Sequence, residues 1–193
     1  MTLSLSELFS KNRNRILAII PFETSDLSQF KDPLEAAAIM YRLDPVFLSD
    51  VYLTSDVSES EKQRKQRDAV RVINFSKNIL KETEDNPRYA LIVTSEDCFS
   101  GKSSHVFGLA NHDLGVGLVS TARLTEWNED LTPSRIKERI LKEAAHEIGH
   151  LGGLTHCENA TCVMAFVNTI DKLDEKLPLL CLECHKKLRT TGR

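Results

Sequence analysis

Between His146 and His156 the chain reads His-Glu-Ile-Gly-His-Leu-Gly-Gly-Leu-Thr-His, with Cys157 next. Few local conformations make sense of that stretch. Residues four apart on a helix share a face, so His146 and His150 can present their imidazoles to one point. Glu147 lies about 100° further round the helix, beside that point. Gly153 permits a left-handed turn as the helix ends, and the turn returns His156 as a third nitrogen ligand. Three neutral nitrogens with a fourth position open is the pattern of catalytic zinc, whereas four closed ligands mark a structural ion. Glu147 then stands where a general base for a zinc-bound water is needed. His-Glu-x-x-His alone arises by chance on solvated helix faces; a correctly spaced Gly and a third His leave little room for that.

The cysteines supply a second constraint. Of five, Cys157, Cys162, Cys181 and Cys184 fall in the last 37 residues, as C-x4-C and C-x2-C separated by 18 residues. No export signal is visible at Met1–Glu7, where a cationic leader and apolar core are both lacking. In that context the spacing favours metal thiolates over disulfides. Cys98 is left over and reads as a small buried thiol. A cytoplasmic address is the expectation.

The rest of the chain reads as one α/β unit of 193 residues. Hydrophobic residues are 41% and charged residues 27%, an ordinary globular balance, and a formal charge of −3 gives no overall drive toward nucleic acid or anionic membrane. No apolar run approaches the ~20 residues of a membrane span. Arg15–Pro21 reads as a buried strand ended by Pro21, and 32–43 as a helix with Asp32 as cap and Pro33 at its first position. Phe47–Leu53 reads as a second strand. Residues 60–82 carry seven Lys or Arg against three Asp or Glu, with Ala69, Val72, Ile73, Ile79 and Leu80 at helical spacing. One aromatic, Phe75, among those charges favours a solvated helix backing a sheet over a nucleic-acid face. Tyr89–Thr94 is the clearest buried strand. His105–Ala110 and Leu114–Val119 follow as two more, joined by a turn at Asn111–Asp113, with His105 and His112 as surface or turn residues. In the second, apolar residues alternate with Gly, as where something packs closely. Thr132 and Pro133 open the long helix as cap and first residue, and Ile136, Ile140, Ala144, Ile148 and Leu151 form its core stripe.

The segment His146–His156, followed by Cys157, Cys162, Met164, Cys181 and Cys184, resembles the archaemetzincins of the metzincin clan, and the likeness extends over roughly residues 14–188. That resemblance implies a metzincin-like α/β (α+β) fold: a twisted, mostly parallel sheet with one antiparallel edge strand, a backing helix and an active-site helix. It also implies a small C-terminal lobe held by a four-cysteine zinc site. The whole would be a single metalloprotease domain, 1–193, with a sheet and helix subdomain over 1–153 and a C-terminal subdomain over 154–193. It makes Met164 the methionine of a tight turn beneath the catalytic metal, and the strand His105–Ala110, with Val106, Phe107 and Gly108, the edge along which an extended peptide lies.

The function expected is zinc-dependent hydrolysis of peptide bonds: His146, His150 and His156 hold a catalytic zinc, Glu147 is the general base, and Cys157, Cys162, Cys181 and Cys184 hold a structural zinc. That is two Zn²⁺ per chain and a peptide or protein substrate, with no nucleic-acid or membrane partner. The alternative is a zinc-stabilised module that binds a peptide without cutting it; the presence of Glu147 argues against it. A nucleic-acid zinc module built on Cys181–Cys184 and the basic helix is a weaker third reading. Trimming from a terminus and internal cutting are not separated by the sequence.

Overall fold

The computed structural model describes residues 15–23, 27–48, 56–82, 87–126 and 131–191. The sheet that organises them has five strands: β1 (Ile16–Phe22), β2 (Asp44–Phe47), β4 (Tyr89–Thr94), β6 (Gly108–Asn111) and β7 (Val116–Ser120), in the order β2-β1-β4-β7-β6. The first four in that order run parallel, and β6 is an antiparallel edge strand on β7. Successive side chains of β1 point to opposite faces, and both faces are covered, so the strand is apolar throughout. Leu17 and Ile19 join Leu91, Val93 and Val119 on one face, under α1 (Lys31–Met40) and α4 (Pro133–Leu151). Ala18, Ile20 and Phe22 join Ile92 and Leu118 on the other, under Ala69, Val72 and Ile73 of α3 (Ala69–Glu82). Each large aliphatic buried there contributes roughly 1.5–3 kcal/mol. Among these residues no helix is long and apolar enough to cross a membrane.

Several boundaries differ from the sequence reading. Pro21 lies inside β1, paired with Val93. Ile19 accepts from the Leu48 amide at 3.0 Å on the β2 side, so Pro21, two residues on, turns its missing N–H to that side, past the end of β2. Helix α1 begins at Lys31 after a 3-10 turn (Ser28–Phe30), with no side-chain cap; Asp32 sits in its first turn and pairs with Lys137 of α4 at 3.0 Å. The second strand is Asp44–Phe47, and residues 49–53 of the expected one lie outside the described residues. The basic stretch is two helices rather than one. Ser58 and Glu61 form a capping box at α2 (Glu59–Arg64), which ends on Lys65 at φ +53°. Arg67–Asp68 (β3) then pairs with Cys98–Phe99 (β5) before α3 begins. Ile79 and Leu80 of the predicted stripe lie outside the described side chains. Cys98 is buried in β5, as expected, and burial pushes its thiol up to about 12.

Helix α4 follows the sequence closely. The Thr132 hydroxyl accepts from the Arg135 amide at 3.2 Å, and Pro133 opens the helix. Ile140, Ala144, Ile148 and Leu151 are buried, and Ile136 packs at the margin. After it come α5 (Ile170–Glu175) and α6 (Leu182–Thr191). Helix α5 is docked by a fork: Arg139 Nε and Nη2 donate to the two Asp174 carboxylate oxygens at 2.8 and 2.6 Å, and Lys142 Nζ donates to the Asp174 carbonyl at 3.0 Å. Arg139 is buried while Asp174 is partly exposed, so Asp174→Asn leaves a buried cation without its countercharge and should cost about 2 kcal/mol at neutral pH. The fork holds the Asp174 carboxyl below its ordinary range. A depressed pKa gives stabilisation that is full above the unfolded-state value and is lost as pH falls through the folded one. The stability gap between wild type and Asp174→Asn in urea titrations should therefore stay flat down to about pH 5 and narrow only below about 3.9. A gap that closes near neutrality would contradict the pairing.

Candidate active site and cysteine cluster

The last turns of α4 carry His146 and His150 on one face, and Gly153 turns the chain back at φ +86°. The His146, His150 and His156 rings gather with centroids 4.6, 4.8 and 5.3 Å apart. Each of the two helical rings is aimed by a backbone carbonyl: His146 Nδ1 lies 2.9 Å from Val163 O, and His150 Nδ1 lies 2.7 Å from Leu154 O. A carbonyl only accepts, so both Nδ1 atoms carry hydrogen and both Nε2 atoms carry lone pairs. Those two Nε2 atoms face each other at 3.1 Å. Burial lowers the basicity of all three imidazoles, most at His146, so added protons do not relieve the repulsion. A metal cation does, and neutral imidazoles are what it requires. The three nitrogens fit such an ion.

Glu147 is buried against the sheet edge. A Cβ on Gly108 would stand 2.6 Å from Glu147 Oε1 and 2.8 Å from its Cδ; Gly117 lies next to Glu147 Cβ and Leu151. Gly117 is thus the close approach expected from the sequence, and Gly108 in the edge strand is a second. Glu147 Oε2 is buried without a hydrogen-bond partner among the described residues. Gly108→Ala leaves the backbone undisturbed but displaces this carboxyl, and a misplacement of that size costs about 10²-fold in rate. The variant should lose hydrolysis of a peptide substrate to that extent with an unchanged circular-dichroism spectrum; full activity would mean that the carboxyl position does not matter.

Sequence reasoning missed three neighbours. Glu143 lies one turn before Glu147 and is equally buried, and Lys176 lies beneath both, 1% exposed, its Nζ donating to Ala165 O at 3.0 Å. Burial pushes both carboxyls above the ordinary range, Glu147 furthest, with Lys176 opposing; burial lowers Lys176 in turn. Tyr41 donates to Ala145 O at 2.7 Å and touches Met164 Sδ at 3.7 Å, and burial raises its phenol. The i, i+4 spacing to Glu147 could have revealed Glu143. Tyr41 and Lys176 carry no local signal.

Met164 is fully buried and packs against Gly149, where any Cβ would collide with its sulfur. It therefore lies under the helical turn that joins His146 to His150. The strand expected over His105–Ala110 begins only at Gly108. Val106 instead bridges Cys98, its amide donating to Cys98 O at 2.8 Å, and Phe107 O accepts from Ser120 N at 2.8 Å; β5 draws Val106 away from β7. His112 sits in the turn as expected, and its Nδ1 also lies 2.9 Å from Leu151 O at the end of α4. His105 is half-buried beside Phe107.

The four late cysteines also converge, all sulfurs within 4.8 Å of one another and none in a disulfide. Cys157 Sγ and Cys181 Sγ are 3.7 Å apart. Tetrahedral thiolates at ~2.3 Å from zinc stand about 3.8 Å from each other, so the spacing suits that ion. The Cys184 amide lowers the Cys181 thiol to about 7, whereas burial raises Cys157 and Cys184.

Comparison with known proteins agrees with this geometry. The family model for peptidase family M54 matches residues 37–190. Over 126 residues the chain is 38% identical to the archaemetzincin of Aeropyrum pernix, which takes in 65% of this chain and 67% of that protein. Among other archaemetzincins the matched part falls to 51% of the relative's length. A solved zinc-dependent peptidase from Methanocorpusculum labreanum superposes with a TM-score of 0.78 at 27% identity, over 89% of this chain and 99% of that one. For archaemetzincin from Methanopyrus kandleri the values are 0.76 and 28%, over 94% and 97%.

Proposed function

Because the chain belongs to peptidase family M54, a family of zinc metallopeptidases, we propose that it hydrolyses peptide bonds with Glu147 as general base. The observation that carries the reading is the convergence of three imidazole nitrogens beside a buried carboxyl with one oxygen unpartnered. His146, His150 and His156 would hold a catalytic zinc, and Cys157, Cys162, Cys181 and Cys184 a structural one, two ions per chain. A zinc ion held by the three histidines would supply Lewis acidity, lowering the pKa of water and polarising a carbonyl. The chain's own residues do the rest. Glu147, pressed against Gly108, takes the proton from the attacking water and gives it to the leaving amine. Met164 and Tyr41 fix the floor of the helix turn that carries the first two histidines. The outer edge of β6, with Val106 and Phe107 leading into it, offers backbone to an extended peptide. The metzincin-clan division into a sheet subdomain (1–153) and a C-terminal subdomain (154–193) belongs to the same reading, the two being joined through Val163 O and His146.

The test is zinc per chain in wild type and His150→Ala together with cleavage of a random peptide library. Two zincs in wild type, about one in the variant, and cleavage by wild type alone are expected. Two zincs with no cleavage would favour the alternative, a peptide-binding module, and one or none would contradict the site assignment.

A further inference from the structure

The cleft that contains Glu147 and the three histidines has a volume of about 1660 Å³ and reaches well beyond them. Its far end is cationic. Ile16 pairs with Asp44 and Leu17 with Tyr89, so Arg15, Arg42 and Arg88 stand together just before β1, β2 and β4 at one end of three adjacent strands. Arg15 Nε donates to Arg42 O at 3.2 Å. Helix α4 finishes at this same end, where Gly152 meets Leu188 of α6 and Arg189 follows. All four arginines line the cleft and are exposed. Arg15 pairs with Asp44 and Arg88 lies over the Tyr89 ring; Arg42 and Arg189 have no carboxylate partner among the described residues. Among the described residues, the only acidic ones lining the cleft are Glu143 and Glu147, both buried. This local excess stands against a chain whose formal charge is −3.

We propose that the Arg15, Arg42, Arg88 and Arg189 end of the cleft is a carboxylate subsite, which selects peptides carrying acidic groups on that side of the scissile bond. This deepens the peptidase reading and rests on it. Guanidinium groups match carboxylates in geometry and keep their charge at any working pH. A cleft lined by one sign of charge also concentrates oppositely charged ligands. The same arginines oppose the partial negative charge at the end of α4, but that role would not discriminate among peptides. The carboxylate can come from Glu and Asp side chains or from a free C-terminus.

Zinc-loaded full-length protein carrying Glu147→Gln, which binds without turnover, is titrated with labelled random peptide pools that differ at two fixed positions, Glu, Gln or Lys. Each pool is made with a free and an amidated C-terminus. The Glu pool should bind about tenfold more tightly than the Gln pool at low salt, with the preference fading at about 1 M salt, where screening is nearly complete. Adding Arg42→Glu and Arg189→Glu should abolish that preference while the amidated Gln pool binds as before, which also reports that the protein is folded. A Glu preference that survives amidation identifies side chains as the ligand; weaker binding of both the Glu and the Gln pools on amidation identifies the terminal carboxylate. Equal binding of the Glu and Gln pools with no loss on amidation, or a carboxylate preference that survives the double charge reversal, overturns the proposal. Cleavage by wild type is scored separately, so failure of the peptidase reading leaves the binding comparison intact.

Discussion

Glu147→Gln should reduce peptide hydrolysis by about 10³-fold, in the middle of the range for a lost general base, while zinc content stays at the wild-type level. The substitution keeps the shape of a side chain pressed against Gly108 and Gly117 and removes only its capacity to take a proton. The metal-holding face is untouched, because His146 and His150 are aimed by Val163 O and Leu154 O rather than by Glu147. Stability should stay level or rise. Glu147 is buried beside Glu143, and burial and that neighbour both act against a charge there; a neutral amide removes the conflict. The combination of a thermal midpoint at or above wild type and lost turnover is diagnostic, since damage to the fold would move both down together. Turnover near the wild-type rate would remove Glu147 from the mechanism. Glu147→Ala should lose as much rate but opens a void at the sheet edge, so Gln is the sharper probe.

Such a pairing of function with misfit explains which features were legible in the sequence. His146, His150 and Glu147 declare themselves through helical spacing, and the turn at Gly153 through the one residue type that takes positive φ without strain. The cysteine pairs are local in the same sense, each within a few residues, and Tyr89–Thr94 is apolar because both its faces are covered. What the sequence concealed is set by contacts between distant segments. Arg67–Asp68 interrupts a helical pattern because Cys98–Phe99 offers it a parallel partner. Val106 leaves the edge strand for the same β5 segment. Lys176 and Tyr41 matter only because α4 packs over them, and no periodicity near either residue announces it. The four arginines at the cleft end come from four separate segments; strand register brings Arg15, Arg42 and Arg88 together, and the packing of α6 on the end of α4 adds Arg189.

Cys181→Ser carries the second large effect, and the structure gives it two routes to the active site. The lobe after His156 has little apolar mass: Leu177, Leu179 and Leu182 are 53%, 60% and 81% exposed. Its backbone is held by a few long-range bonds, from Val163 N to Leu179 O, Leu177 N to Thr161 O and Cys157 N to Met164 O, and by the four sulfurs. A lobe so built takes much of its folding free energy from a structural ion. Loss of one thiolate should release about one zinc per chain and cost several kcal/mol, which lowers Tm by roughly 10 °C for a chain of this size. Activity should fall too. Cys157 is bonded directly to His156, and Val163, which lies between Cys162 and Met164, supplies the carbonyl that aims His146. Loosening the lobe therefore slackens a histidine on each side of the proposed catalytic ion. Metal analysis with a thermal melt decides the matter: unchanged zinc and an unchanged Tm would show that the four sulfurs, though gathered, hold nothing. One zinc lost at full activity would show instead that Val163 and His156 keep their positions without the ion.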